Sequence, residues 1–180
     1  MDGQQVITHT QRWLERAVIG LNLCPFAKAV HVKQQIHYAV SAAVGHADIR
    51  AALVAELRDL LAHNAGVRDT TLLILPNALP DFLDFNDFLG VADRTLAKLK
   101  LDGVVQIASF HPAYQFADAA PDDMANCTNR APYPILHLLR EDSVARAVAA
   151  FPEAESIYAR NIATLQQLGP AGWAALGVAP

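Results

Sequence analysis

TTLLILP, residues 70–76, is a short and continuous apolar run that ends at a proline. Such a run is typical of a strand that is covered on both faces, as in a parallel sheet. Residues 36–42, which are β-branched and aromatic, and residues 103–109 are predicted to be strands as well. Residues 135–139 are a fourth candidate, although a buried helical turn has the same pattern over so short a run.

Amphipathic helices are predicted between these strands and at both ends of the chain. Asp48 is a natural N-cap for one helix, in which apolar residues follow at i, i+4 spacing, and Asp81 is the N-cap of the next. Four more helices are expected: one over residues 6–21, a short one after Pro25, one from Asp142 or Ser143 to Pro152, and one from Glu153 to a stop at Gly169 and Pro170.

The alternation of strands and helices predicts the fold class. Strand, helix, strand, helix, strand is the order that right-handed crossovers turn into a parallel sheet. We therefore expect a single α/β domain over residues 1–180, with a short, mostly parallel sheet of about four strands flanked by helices. The alternative is a two-layer mixed sheet of the ferredoxin-like α+β type.

Composition argues against several classes of partner. No apolar run approaches the roughly 20 residues that a membrane helix needs, although 53% of the 180 residues are hydrophobic. The first residues, MDGQQVITHTQRW, lack the pattern of a signal peptide, and two cysteines fit a reducing compartment, so we expect a cytoplasmic protein. The net charge of −4 and the lack of a Lys/Arg stripe argue against nucleic acid. No pattern specifies an oligomeric state.

The segment between the third and fourth predicted strands has the features of a functional loop. Residues 110–134 read FHPAYQFADAAPDDMANCTNRAPYP, with four prolines and no helical or alternating period. Connections this long without their own structure are usually functional or disordered, and the aromatic residues here favour function. Ligands of parallel sheets bind beyond the carboxyl ends of the strands, an edge that Ser41, Asn77 and His111 would share.

His111 is the central candidate of this loop. A histidine titrates near neutrality, so in a pocket it could act as a general acid or base. The alternative is a structural histidine whose ring hydrogen-bonds a loop carbonyl and pins the connection.

Polar residues near His111 in the sequence would bind the substrate, which we expect to be a small and possibly anionic molecule. Arg130 could hold an anionic group with its guanidinium fork, or it could brace the loop through an ion pair with Asp122 or Asp123. Asn126 and Asn129 could orient the substrate or stabilise an oxyanion, or they could simply form turns. The predicted substrate-binding set also includes Ser109, Tyr114 and Asn77.

Cys24 is the second catalytic candidate. LNLCPF places this thiol beside a predicted helix N-terminus, where the helix dipole would lower its pKa and make it a nucleophile. The alternative is an inert cysteine buried behind the first helix.

No cofactor or metal is expected, with zinc as the alternative. Cys24, His111, Cys127 and His137 are the right residue types for zinc, but the sequence has no Cys-x-x-Cys or His-x-x-x-His pair among them. His137 lies between leucines in PILHLLR, which favours a core histidine.

Four segments, LNLCPFAKAV, TTLLILP, IASFHPAYQF and NRAPYPILHLLRE, resemble the bacterial family catalogued as domain of unknown function 1415. The resemblance runs from Trp13 to about Ser143 and keeps the order of the family's segments. It implies no established activity, cofactor or catalytic residue. Where the family typically reads Asn-Arg-Ser-Pro-Tyr-Pro, this chain has Ala131, so no serine nucleophile is available there.

The sequence therefore favours a small-molecule enzyme, such as a hydrolase or transferase, whose pocket is built from residues 109–134. Two alternatives remain open. One is a non-catalytic protein that binds a metal or a small ligand through Cys24, His111, Cys127 or His137. The other is an interaction module, in which the aromatic loop and the apolar tail AGWAALGVAP dock onto a partner or a second copy of the chain.

Overall fold

The computed structural model describes residues 2–151 and 153–179, whose strands form one four-stranded sheet. The strands are β1 (Ile36–Val40), β2 (Thr70–Ile74), β3 (Val105–Phe110) and β4 (Ile135–Arg140). Their order across the sheet is β1-β2-β4-β3. β1 and β2 are parallel, whereas β4 is antiparallel to β2 and to β3. The predicted α/β fold, a short sheet flanked by helices, is confirmed: three strands run in one direction, and the fourth runs oppositely between two of them.

Every residue of β2 is buried, which explains its continuous apolar run. β2 lies inside the sheet, and helices cover both of its faces. Leu73 and Leu75 belong to one core cluster, while Leu72 and Ile74 belong to another. Successive side chains of a strand point to opposite faces, so the two clusters lie on opposite sides of the sheet.

Two long helices cover the first face of the sheet. They are α3 (His46–Ala62) and α4 (Phe82–Lys98). Asp81 is the N-cap of α4, as predicted, and its carboxylate accepts hydrogen bonds from the backbone N–H groups of Leu83 and Asp84. The N-cap of α3 is Gly45 rather than the predicted Asp48, which lies within the first turn. The fully buried residues of this core include Leu53, Leu57, Phe85, Phe88 and Leu136.

The first helix packs on the second face of the sheet. α1 (Gly3–Trp13) continues as a π-helical segment over Leu14–Ile19. Val6, Trp13 and Ala17 are buried in the core cluster that contains Ile74 and Ile135. The indole N–H of Trp13 also donates a hydrogen bond to the Arg130 carbonyl at 2.9 Å. α1 is thereby attached both to the sheet and to the end of the long loop.

Three further helices complete the chain. α2 (Ala27–Val32) is short, α5 (Glu141–Ala149) follows β4 directly, and α6 spans Ile157–Ala175. The N-cap of α5 is Arg140 rather than the predicted Asp142 or Ser143, and the predicted stop at Pro152 lies outside the described residues. The predicted stop at Gly169 and Pro170 is a kink within α6, where Gly169 has φ 66° and ψ 175°. Within residues 2–151 and 153–179, no helix is both long and apolar enough to traverse a bilayer.

Candidate functional site

A cavity of about 530 Å³ lies over the second face of the sheet. Its floor consists of side chains from the four strands, and its walls come from the end of the first helical segment, from residues around α2, and from α5. This volume falls within the range of roughly 300 to 1,000 Å³ that is usual for small-molecule sites. The lining is mainly apolar and includes Leu14, Phe26, Leu72, Phe110, Val144 and Phe151.

Small side chains contribute to the space in this cavity. Ala108 on β3 lies directly opposite His137 on β4, and Leu72 lies opposite His137 on the other side. Ala147 and Ala150 face the cavity from α5 and its C-cap. Larger residues at these positions would reduce the volume between α5 and the sheet. The volume of the cavity therefore depends on the small side chains of Ala108, Ala147 and Ala150.

His137 is the titratable ring on the cavity floor. Its Nε2 lies 2.6 Å from the Thr70 hydroxyl, and that hydroxyl donates its single hydrogen to the Leu138 carbonyl at 2.7 Å. Because the hydroxyl hydrogen is committed, Nε2 carries the ring hydrogen and donates it to Thr70, which leaves the lone pair on Nδ1. Burial lowers the pKa of His137 to about 4, so the ring is neutral at pH 7.

Cys24 lines the same cavity from the segment before α2. The nearby backbone N–H groups of Phe26 and Ala27 favour a lower pKa of the thiol, the effect expected beside a helix N-terminus. Burial is the larger effect, however, and it raises the pKa of the Cys24 thiol. The expectation of a lowered pKa was therefore wrong in sign, because the sequence pattern does not report how deeply the thiol is buried.

The other polar groups of the cavity lining differ in how fully they are bonded. Ser143 donates to the Asp69 carboxylate at 2.6 Å, and Arg140 donates to three backbone carbonyls, those of Leu60, His63 and Arg68. The Gln106 amide has no hydrogen-bond partner among residues 2–151 and 153–179. The groups available to a ligand thus include the Gln106 amide, the His137 Nδ1 and the Cys24 thiol, together with the second carboxylate oxygen of Asp69.

His111 does not line this cavity. Its side chain is 1% exposed, and its ring lies against the rings of Phe82 and Phe85. Nδ1 accepts a hydrogen bond from the Ala113 N–H at 3.0 Å, so Nε2 carries the hydrogen and donates it to the Leu79 carbonyl at 3.0 Å. Both ring nitrogens are satisfied within the protein. This environment favours the structural alternative for His111 over the acid or base role.

The polar side chains of the loop bond mainly to the loop itself. Arg130 donates to the carbonyls of Tyr114 and Pro121 at 3.2 Å and 2.8 Å. Asn126 is fully buried, accepts a hydrogen bond from the Phe116 N–H at 3.0 Å and donates to the Ala120 carbonyl at 2.8 Å. The Asn129 amide donates to the Ser109 carbonyl at 3.0 Å. These residues hold the loop in shape, with a 3₁₀ helix at Met124–Thr128 packed against α6.

The remaining predicted binding residues lie at separate places. Ser109 is partly buried on β3, and Asn77 is exposed in the turn after β2. The Tyr114 ring packs against Phe82 at 5.1 Å between centroids. None of residues 111–134 lines the 530 Å³ cavity. The pocket predicted within residues 109–134 therefore stays a prediction, separate from the cavity that the fold forms.

The four predicted zinc ligands are not gathered in one place. Cys24 and His137 line the cavity, whereas Cys127 is buried beside Leu23 and Leu165 and His111 lies among phenylalanines. In the part of the chain that the structure describes, the close group of three possible metal ligands is a different one, formed by His37, Glu56 and Asp59.

The apolar tail, which the interaction-module alternative would dock onto a partner or a second copy, packs in part against its own chain. Val178 is 6% exposed and belongs to the core cluster of α1, and Trp173 and Leu176 pack against the same cluster. The carbonyl of Leu176 accepts a hydrogen bond from Arg16 at 2.9 Å. Pro180 lies outside the described residues.

Sequence reasoning missed Thr70, Gln106 and Ala108 as cavity residues. The available signal was the alternation of side-chain direction along a strand, which places Gln106 and Ala108 of β3 on one face, where His137 of β4 lies opposite Ala108. The order of the strands was needed to bring that face together.

Comparisons with known proteins identify the chain at the level of a family. A family model described as "Protein of unknown function (DUF1415)" matches residues 5–175 of the 180. No curated protein and no solved structure gives a significant match.

Proposed function

The chain belongs to the DUF1415 family, whose description names no activity, and we propose that it binds a predominantly apolar small molecule in the cavity over the sheet. The observation that carries the proposal is the 530 Å³ cavity, with its apolar lining and few free polar groups. Ligand sites usually combine an apolar enclosure with a small number of polar groups that fix the orientation. Gln106, His137 and Cys24 supply such groups here.

The charge of the lining favours an uncharged ligand over an anionic one. His137 is neutral at pH 7 because its pKa is lowered to about 4, and the raised pKa of Cys24 keeps its thiol protonated. The Arg140 guanidinium is bonded to three carbonyls. The Asp69 carboxylate also lines the cavity and would repel an anion. An anion would lose its hydration and would compete with three carbonyls for the Arg140 guanidinium, which costs free energy.

Binding of an uncharged fluorophore tests this proposal. N-phenyl-1-naphthylamine fluoresces strongly in apolar surroundings, and we expect a saturable increase with the wild-type protein. Ala147→Trp places a large ring in the cavity and should weaken binding by about 10-fold or more, since overfilling a site excludes its ligand. Ala150→Trp, at the rim, is a second blocking variant.

Ala145→Trp is the matched control, because Ala145 is an exposed residue of α5 and does not line the cavity. It should bind the fluorophore like the wild type. Equal affinity in the Ala147, Ala150 and Ala145 variants would contradict the proposal, as would the lack of a saturable signal in the wild type. The anionic analogue 8-anilinonaphthalene-1-sulfonate should bind more weakly than the uncharged one.

A second candidate function is catalysis in the same cavity, favoured by the presence of both Cys24 and His137 in its lining. Because His137 is a weak base and the Cys24 thiol is protonated, the Cys24 sulfur would attack the carbonyl carbon of an ester while the thiol hydrogen moves to the His137 Nδ1. The ester C–O bond would break, the alcohol would leave with that hydrogen, and water would hydrolyse the thioester to release the acid and restore the thiol. p-Nitrophenyl butyrate is a suitable probe, because it is uncharged and partly apolar. Release of p-nitrophenol that is abolished in Cys24→Ser and strongly reduced in His137→Gln would support catalysis, whereas equal rates in the three proteins would refute it.

A further inference from the structure

Three metal-ligating side chains meet at the outer edge of the sheet, on the face opposite the cavity. His37 is on the edge strand β1, and Glu56 and Asp59 are on α3. One ligand atom from each of the three residues lies within 4.8 Å of the other two. His37 Nε2 and Glu56 Oε2 are 3.7 Å apart.

The fold brings these residues together through two different periodicities. Ile36, Tyr38 and Val40 pack with the cluster of α1, so the alternation of β1 directs His37 toward α3. Glu56 and Asp59 are three residues apart on α3 and therefore lie on one side of that helix. The crossover from β1 through α3 to β2 fixes the helix over the edge strand.

Two buried polar atoms at this place have no hydrogen-bond partner among residues 2–151 and 153–179. One is Oε2 of Glu56, and the other is the hydroxyl oxygen of Thr71. Thr71 is 0% exposed and lies directly opposite His37 in the β1–β2 register, so its side chain projects next to His37 on the same face. Buried polar atoms are nearly always satisfied in folded proteins, so the unpartnered pair indicates an additional bound group.

The side chains at this edge offer a cation one imidazole nitrogen and two neighbouring carboxylates. The Glu56 side chain is 22% exposed, and its buried Oε2 faces His37 rather than open solvent.

Arg68 and His63 are the other charged or titratable groups that face the cluster. Arg68 hydrogen-bonds Asp59 through Oδ2. His63 donates its Nδ1 hydrogen to the Asp59 carbonyl at 2.8 Å, and that nitrogen lies 3.8 Å from Asp59 Oδ1. With both carboxylates ionised and Arg68 charged, the group carries a net negative charge, and Arg68 orients Asp59 in the manner of a residue that supports a metal ligand.

We propose that His37, Glu56 and Asp59 bind a divalent first-row transition-metal ion at the edge of the sheet. One imidazole nitrogen and two carboxylate oxygens are a ligand set suited to Zn²⁺, and they suit Mg²⁺ or Ca²⁺ less well because those ions prefer oxygen ligands alone. The ion would draw the three ligand atoms inward and connect β1 to α3. This metal site is separate from the proposed ligand-binding function, because the cavity lies on the other face of the sheet.

Zinc titration of the untagged, EDTA-treated protein tests this inference. Calorimetry should show one Zn²⁺ per chain, and saturating Zn²⁺ should raise the melting temperature, since a ligand that binds only the folded state stabilises it. His37→Ala and Glu56→Gln should each weaken Zn²⁺ binding by about 10-fold or more. Mg²⁺ at the same concentration should leave the melting temperature unchanged.

His31→Ala is the matched control, since His31 forms a comparable pair with Glu15, at 3.4 Å, outside the cluster. It should retain the affinity of the wild type. Asp59→Asn provides a variant that is expected to fold, because the Asp59 side chain is 47% exposed, and it should also bind Zn²⁺ more weakly. Absence of Zn²⁺ binding to the wild type, or unchanged affinity in the His37, Glu56 and Asp59 variants, would overturn the inference.

Discussion

The ring of His137 donates its Nε2 hydrogen to the hydroxyl of Thr70 at 2.6 Å, across two antiparallel strands that the chain places far apart in sequence. The hydroxyl donates its own hydrogen to the Leu138 carbonyl. These two hydrogen bonds fix the tautomer and the orientation of the ring. It leaves the Nδ1 lone pair as the free hydrogen-bonding atom of the ring in the candidate ligand cavity.

The environment of His137 predicts a loss of stability in mild acid. Its pKa is lowered from 6.5 to about 4 in the folded protein, so as the pH falls the unfolded chain takes up the proton first. The contribution is fully present above about pH 6.5, and lowering the pH from 7 to 5 should remove about 2 kcal/mol of unfolding free energy. Urea denaturation at several pH values measures this loss. In His137→Gln the loss of unfolding free energy between pH 7 and pH 5 should be smaller by that amount. An identical loss in both proteins would contradict the lowered pKa of His137.

Replacement of His111 is expected to affect stability rather than ligand binding. His111→Ala removes the hydrogen bonds to the Leu79 carbonyl and the Ala113 N–H and leaves a void beside Phe82 and Phe85. The expected cost is about 3 kcal/mol in denaturant unfolding. The affinity for N-phenyl-1-naphthylamine should be unchanged. His46→Ala, at an exposed histidine against Phe88, should cost less than about 0.5 kcal/mol.

Thiol alkylation is expected to distinguish Cys24 from Cys127. In a Cys127→Ser protein, Cys24 should react with iodoacetamide with a pH midpoint above that of a cysteine in a free peptide, because burial raises its pKa. Bound N-phenyl-1-naphthylamine should slow this reaction, since Cys24 lines the cavity. In a Cys24→Ser protein, Cys127, which is 2% exposed, should react more slowly still, and the fluorophore should have no effect. Protection of Cys127 alone would contradict the placement of the ligand.

The kink of α6 predicts that substitution of Gly169 destabilises the protein. Its φ of 66° with ψ of 175° is a conformation available to glycine but strained for other residues. Gly169→Ala should therefore lower the free energy of unfolding by about 1 to 3 kcal/mol, even though an added Cβ would meet no atom within 4 Å. Gly3→Ala, in α1, also has open space and a helical backbone, and it should be neutral or slightly stabilising. Thermal unfolding of the two variants provides the comparison.

Much of the secondary structure could be predicted because its signals are local. The N-cap at Asp81 and the apolar stripe that follows it lie within a few turns of one another, and α4 forms as expected. The same holds for β2, since burial on both faces leaves a continuous apolar run. Helix ends with weaker signals were less predictable. α5 begins at Glu141 because β4 ends there, although its first turn contains better capping residues.

The candidate site was harder to predict, because it depends on partners that are distant in sequence. The environment of His111 is set by the Leu79 carbonyl, 32 residues away, and no local pattern reports that hydrogen bond. Cys24 and His137 meet in one cavity because α1 leaves part of the sheet face uncovered and α5 rises beside it. The proposed metal ligands His37, Glu56 and Asp59 are brought together by the crossover from β1 through α3, and residue types alone do not reveal that geometry.

The insertion of β4 between β2 and β3 has a consequence for synthesis on the ribosome. β3 pairs with β4 alone, so a nascent chain that has emerged only as far as residue 130 holds β1 and β2 as one parallel pair and β3 with no strand beside it. One edge of β2 and one edge of β3 then remain unpaired until β4 is available, and open strand edges can pair with other chains. The last strand to be made is the one that lies between β2 and β3, so this sheet can be completed only after residues 135–140 have emerged from the ribosome.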